Sequence, residues 1–137
     1  MVHHTVSFNT NHDSPEVEVL DYQYGNSRQD GTYADKERIA MGEVFHADSI
    51  AGVIPRGDFL FVKWRDKYTH HIYQDKVDLR SRLPADIEGD TIHFVIRGAQ
   101  LYVYLIWPYD PKHDYPLVGL KGYDRQKIVQ IYPDQNK

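Results

Sequence analysis

The stretch KWRDKYTHHIYQDK, residues 63–76, sets His70 and His71 side by side among Tyr68, Tyr73, Asp66 and Asp75. Imidazoles and carboxylates in reach of one another can hold a metal or move protons. The spacing argues against the metal. Successive side chains of a strand point to opposite faces, so His70 and His71 reach a common ion only across a bulge. Neither H-x-H nor H-E-x-x-H occurs. The remaining metal arrangement pairs His70 or His71 with His93 across strands. Against it stands the plainer reading of one packed and one solvated histidine beside a turn at residues 65–67. We expect no metal and no cofactor.

Other catalytic signatures are missing. The sequence has no G-x-S-x-G elbow, no phosphate-binding P-loop and no G-x-G-x-x-G, and its serines lie in loop-like surroundings. Arg56-Gly57-Asp58 matches an adhesion tripeptide but reads as a turn leading into a strand. The chain is not expected to be an enzyme.

These side chains must be carried by a β framework. Short runs of Val, Ile, Tyr and Phe recur between Gly, Pro, Asn and Asp punctuation, which predicts strands at residues 5–9, 17–24, 42–47, 59–64, 68–79, 91–97, 100–107 and 127–132. One short helix is expected over residues 32–41, capped by Thr32 and stopped at Gly42. The hairpin TIHFVIRGAQLYVYLIW is the clearest element. A two-residue turn at Gly98-Ala99 places Ile92, Phe94 and Ile96 opposite Leu105, Val103 and Leu101 on an apolar face, with His93, Val95, Arg97, Tyr104, Tyr102 and Gln100 on an amphipathic one. The fold class is therefore all-β: a mostly antiparallel β-sandwich with one short helix at most.

The 137 residues make one domain, 1–137, whose first 14 residues are read as a flexible start. There is no cysteine, so neither disulfides nor thiolate chemistry contributes. Sixteen Lys and Arg against 20 Asp and Glu leave a formal charge of −4 with the signs interspersed, which argues against a phosphate-backbone binder. No apolar run reaches the roughly 18 residues of a membrane span. Eleven tyrosines and two tryptophans are a heavy aromatic load. Such rings either pack on the sheets or form a binding surface, where they bring large contact area at low entropy cost.

The run FLFVKWRD…YQDKVDLRSRLP…GDTIHFVIRGAQLYVYLIWPYDPKHDYP, with His113-Asp114-Tyr115-Pro116 following the hairpin, resembles a family of small Gram-negative lipoproteins. Members sit beside lipase effectors of type VI secretion and act as periplasmic immunity proteins. The resemblance covers residues 59–116. It implies a non-catalytic inhibitor whose partner is a cognate lipase or phospholipase effector, with no nucleic acid bound. It also implies membrane contact only through a lipidated cysteine upstream of this chain. The phospholipase D signature H-x-K-x-x-x-x-D is absent, so this chain is not that toxin.

Two polar loops are long enough to reach into a concave partner: residues 25–37 and residues 107–116. Expected contacts are Arg28, Asp30, Tyr33 and Asp35 from the first, Tyr109 and Asp110 from the second, and Tyr102 and Tyr104 on the hairpin's amphipathic face. The alternatives are a small-ligand or envelope-structural binding module and, third, a metal-dependent hydrolase.

Overall fold

The computed structural model describes residues 2–27, 29, 32–108 and 126–133. Along the chain they form β1 (Val2–Asn9), α1 (Thr10–Asp13), β2 (Val17–Tyr24), α2 (Lys36–Ala40), β3 (Ala47–Ile54), β4 (Phe59–Asp66), β5 (Ile72–Asp78), β6 (Thr91–Arg97), β7 (Gln100–Ile106) and β8 (Ile128–Tyr132). One sheet has the order β3-β1-β6-β7-β8 and the other β2-β4-β5. All described neighbours are antiparallel except β1 and β6. This is the expected all-β sandwich, with two short helical segments in place of one at most. The strand expected at 5–9 begins earlier, at Val2, so much of the start read as flexible is an inner strand of the larger sheet, with Val6 and Phe8 in the core.

The hairpin β6–β7 has the register its sequence predicts. Ile92 faces Leu105, Phe94 faces Val103 and Ile96 faces Leu101, and all six are buried. Gly98 makes the turn at φ 62°, a conformation that costs a glycine little. The other face differs from expectation. His93, Val95 and Tyr104 are buried as well, and Val95, Tyr104 and Ile106 form a second, smaller apolar cluster.

A bulge decides which tyrosines enter the core. On an unbroken β2, Val17 and Val19 would share a face with Asp21 and Gln23. The register against β4 instead slips between Val19 and Asp21. One extra residue reverses the alternation, so Val17, Val19, Tyr22 and Tyr24 all point inward.

The layers are joined by rings and by a few polar bonds. Phe8 on β1 stacks on Phe94 at 4.6 Å and meets the edge of Tyr22 at 5.2 Å. Trp64 on β4 donates its indole N–H to the Gly98 carbonyl at 2.8 Å. Arg56 is spent internally, donating to the Ala85 and Leu83 carbonyls at 3.0 and 3.1 Å. The Arg56-Gly57-Asp58 tripeptide is thus part of the β3–β4 connection.

His4 is fully buried between the sheets and saturated. Val2 O can only accept, so Nδ1 (2.8 Å away) carries the proton, and Nε2 accepts from the Tyr24 hydroxyl at 2.8 Å. Burial pushes the His4 pKa below its ordinary 6.5, partly opposed by the Val2 hydrogen bond. The unfolded chain therefore takes up this proton first as pH falls. The contribution of His4 is complete above 6.5 and is lost as pH drops from there through the folded value. We expect urea midpoints to fall between about pH 7.5 and about pH 5.5, and to fall less in His4→Gln, which cannot titrate. Equal slopes for the two proteins would show that His4 is not the linked group.

Candidate functional site

The segment after β2 turns back along that strand's free edge. Tyr24 N–H bonds to the Thr32 carbonyl at 2.6 Å and Ala34 N–H to the Tyr22 carbonyl at 2.9 Å, which bridges Tyr33 to Gln23 in extended conformation. The chain then enters α2, capped by Asp35 rather than Thr32. Asp35 Oδ1 accepts from the Glu37 and Arg38 amides at 2.9 and 3.4 Å. Thr32 is buried and bonds instead to the Gln29 carbonyl.

Between this segment and β3 lies an open groove of about 530 Å³. Tyr22 and Phe45 supply its aromatic floor, and Tyr33, Asp35, Lys36, Glu37, Arg38 and Asp48 its walls. A second hollow of about 490 Å³, on Gln23, Asn26, Tyr33 and Lys36, adjoins it, so Tyr33 borders both. Sequence reasoning missed Tyr22, Phe45 and Asp48. The bulge in β2, which aims Tyr22 inward, has no signature in residue types.

Charge in the groove is unevenly used. Arg38 lies over the Phe45 ring at 4.7 Å and reaches Glu43 Oε1 at 3.3 Å, so its charge is already matched. Asp35, Glu37 and Asp48 then face Lys36, which leaves the groove acidic. The Tyr22 hydroxyl donates to Asp48 Oδ2. Burial, and then that hydrogen bond, drive the Tyr22 pKa far above its ordinary value. The phenol stays protonated at any physiological pH, as a donor and never a base.

Of the other residues expected to contact a partner, Arg28, Asp30, Tyr109 and Asp110 lie outside the described residues, as does the 113–116 motif. Tyr102 is half-buried against the second apolar cluster. Tyr104 is 5% exposed, so the expected exposed tyrosine face is corrected: that ring packs on Val95 and Ile106 and offers a partner little surface. The sequence predicts Tyr33 and Asp35 on one loop, and the structure brings both to the groove.

The histidine doublet resolves into turn geometry. Asp66 Oδ1 accepts from the Tyr68 and Thr69 amides at 2.8 and 2.9 Å, and these bonds hold its carboxyl below the ordinary carboxylate range. His70 takes φ 64° to close the turn, and His70 and His71 are both exposed, so neither is the packed member of the pair. His93 belongs to the other sheet, where its Nδ1 lies 2.8 Å from the Ser7 hydroxyl. Among the described residues no three His, Asp or Glu converge as a metal would need.

No protein-family model, curated protein or solved structure matches the chain. What the fold and the groove define is an all-β sandwich with an acidic, aromatic-floored recess between one sheet edge and a short helix.

Proposed function

We propose that the chain is a non-catalytic immunity protein that binds and neutralises a type VI secretion lipase or phospholipase effector in the periplasm. The observation that carries the reading is the groove itself: the half-buried ring of Tyr33 beside Asp35, Glu37 and Asp48, whose negative charge exceeds the positive charge of Lys36. A catalytic centre that handles phosphate esters presents cations, and such a recess complements them. Buried aromatic contacts supply most interface energy, while opposed charge speeds encounter and fixes orientation. The resemblance of residues 59–116 to lipase-linked immunity lipoproteins points the same way.

The test is to look for a lipase gene beside the one for this chain and to co-express the two products. Protection of cells that export the lipase, and co-elution of the two proteins, are the expected results. Because Asp35 caps α2, its charge is best removed by Asp35→Asn, which keeps the cap acceptor. Tyr33→Ala combined with Asp35→Asn should weaken the complex by about 10- to 100-fold, the loss of one or two interface anchors. Unchanged affinity in a folded double variant would take the groove out of the interface, and no complex with the lipase would end the immunity reading.

A second reading follows from size. A recess of about 530 Å³ lies within the range of small-molecule sites, so a ligand-binding module is the alternative.

A further inference from the structure

β3 borders the five-stranded sheet, with β1 on one side and no strand on the other among the described residues. The direction of its free backbone groups follows from its neighbour. Thr5 on β1 gives its N–H to the Asp90 carbonyl at 3.0 Å, on the β6 side, and so has none for Ala51, its opposite on β3. Facing residues of an antiparallel ladder exchange both hydrogen bonds or neither. Ala51 therefore turns its N–H and C=O away from β1, and Ala47, Ser49 and Val53 do the same by alternation. The Ser49 amide fits this: it bonds at 2.8 Å to Asp48 Oδ1 rather than to β1. Ala51 and Val53 are exposed, and their amides have no acceptor among the described residues.

Natural edge strands are usually guarded by lysine, proline, a bulge or shortness. β3 runs eight residues, ADSIAGVI, with one charge and no lysine or proline. The edge of β2, by contrast, is bridged by Tyr33 and Phe45. A hollow lies on each side of the β3 border. Inward is the acidic groove at Tyr22, Phe45 and Asp48. Outward is a shallow trough of about 450 Å³ over Ser7, with Ala47 and Ser49 as its small-residue rim. A strand laid along β3 would send alternate side chains to these two places.

Charge decides what fits. A second copy of this chain would bring its own acidic groove against the first, whereas a basic segment would neutralise Asp35, Glu37 and Asp48. We propose that the free edge of β3 receives an extended, lysine- or arginine-bearing segment of a partner protein as a sixth strand of that sheet. Its basic side chains enter the acidic groove, and its apolar ones cross Ala47, Ser49 and Ala51. In naming a protein partner, this rests on the immunity reading.

The probe is a blocked peptide of alternating lysine and valine, with alternating glutamate and valine as its control. Hydrogen exchange should show the Ala51 and Val53 amides slowed about tenfold or more by the lysine peptide and unaffected by the control. Ala51→Pro removes an outward donor and no β1–β3 bond, so it should keep its circular dichroism spectrum and lose the peptide. No protection at Ala51 and Val53, equal effects of the two peptides, or equal binding by folded Ala51→Pro would overturn the proposal. So would a dimer of the protein alone in sedimentation, since a second copy would then cover the edge. If Ala51→Pro does not fold, exchange on the unchanged protein decides. A lipase bound equally by the unchanged protein and Ala51→Pro would sink this inference and leave the immunity reading standing. Peptide protection at β3 with no lipase bound would do the reverse.

Discussion

Trp64→Ala should destabilise the fold by about 3–5 kcal/mol, a large part of the roughly 5–15 kcal/mol that holds a domain of this kind together. Trp64 is 1% exposed, stacks with Tyr73 at 5.9 Å and carries the indole hydrogen bond to Gly98. Truncation empties a large volume where the three-stranded sheet meets the β6–β7 turn, and it strips the Gly98 carbonyl of its donor. Trp64→Phe separates the two effects. It refills most of the volume but not the bond, and should cost about 1–3 kcal/mol. Urea unfolding followed by far-ultraviolet circular dichroism measures both. A Trp64→Ala loss below that of Trp64→Phe would contradict this account.

Gly57→Ala should cost about 3 kcal/mol, the upper end of what one added carbon does in a packed core. A β-carbon at residue 57 would stand 2.6 Å from the Tyr24 ring, well inside van der Waals contact. That ring has no easy retreat, being 2% exposed and tied through its hydroxyl to buried His4. The cause is crowding by one side chain, so Tyr24→Leu, itself destabilising, should make the added methyl nearly harmless. The test is a double-mutant cycle in urea. Additive losses would mean that Tyr24 is not what excludes the side chain.

The apolar strands were legible because burial on one or both faces forces a pattern on them. Residues 17–24 and 91–97 have the expected bounds, and the hairpin register followed from a turn glycine and two alternating runs. β3 was missed for the opposite reason. The expected strand at 42–47 was drawn by Val44 and Phe45, yet the ladder is built by Ala47–Ile54, an edge segment in which Ala, Asp, Ser and Gly outnumber Ile50, Val53 and Ile54 and leave the apolar alternation faint. Backbone pairing with β1 holds it, and pairing leaves no mark on residue types.

The candidate site was half legible. Tyr33 and Asp35 could be named because loops of that length and polarity carry function. Tyr22 could not, because a bulge shifts phase without a signature, and Asp48 could not, because its strand was invisible. Tyr104 was misjudged because period-two alternation separates two faces but does not say whether the second one is covered.

The position of β1 bears on how the protein reaches this state. It precedes the other described strands in the chain, yet it is clasped between β3 and β6, and its Ser7 meets His93 across 86 residues of chain. Chains whose sheets depend on such distant meetings fold slowly, in about milliseconds to seconds, since a large loop must close before any contact rewards it. β4 and β5, a local hairpin, have no such wait. A holdase gripping residues 2–9 would therefore stall the five-stranded sheet while leaving that hairpin free to form.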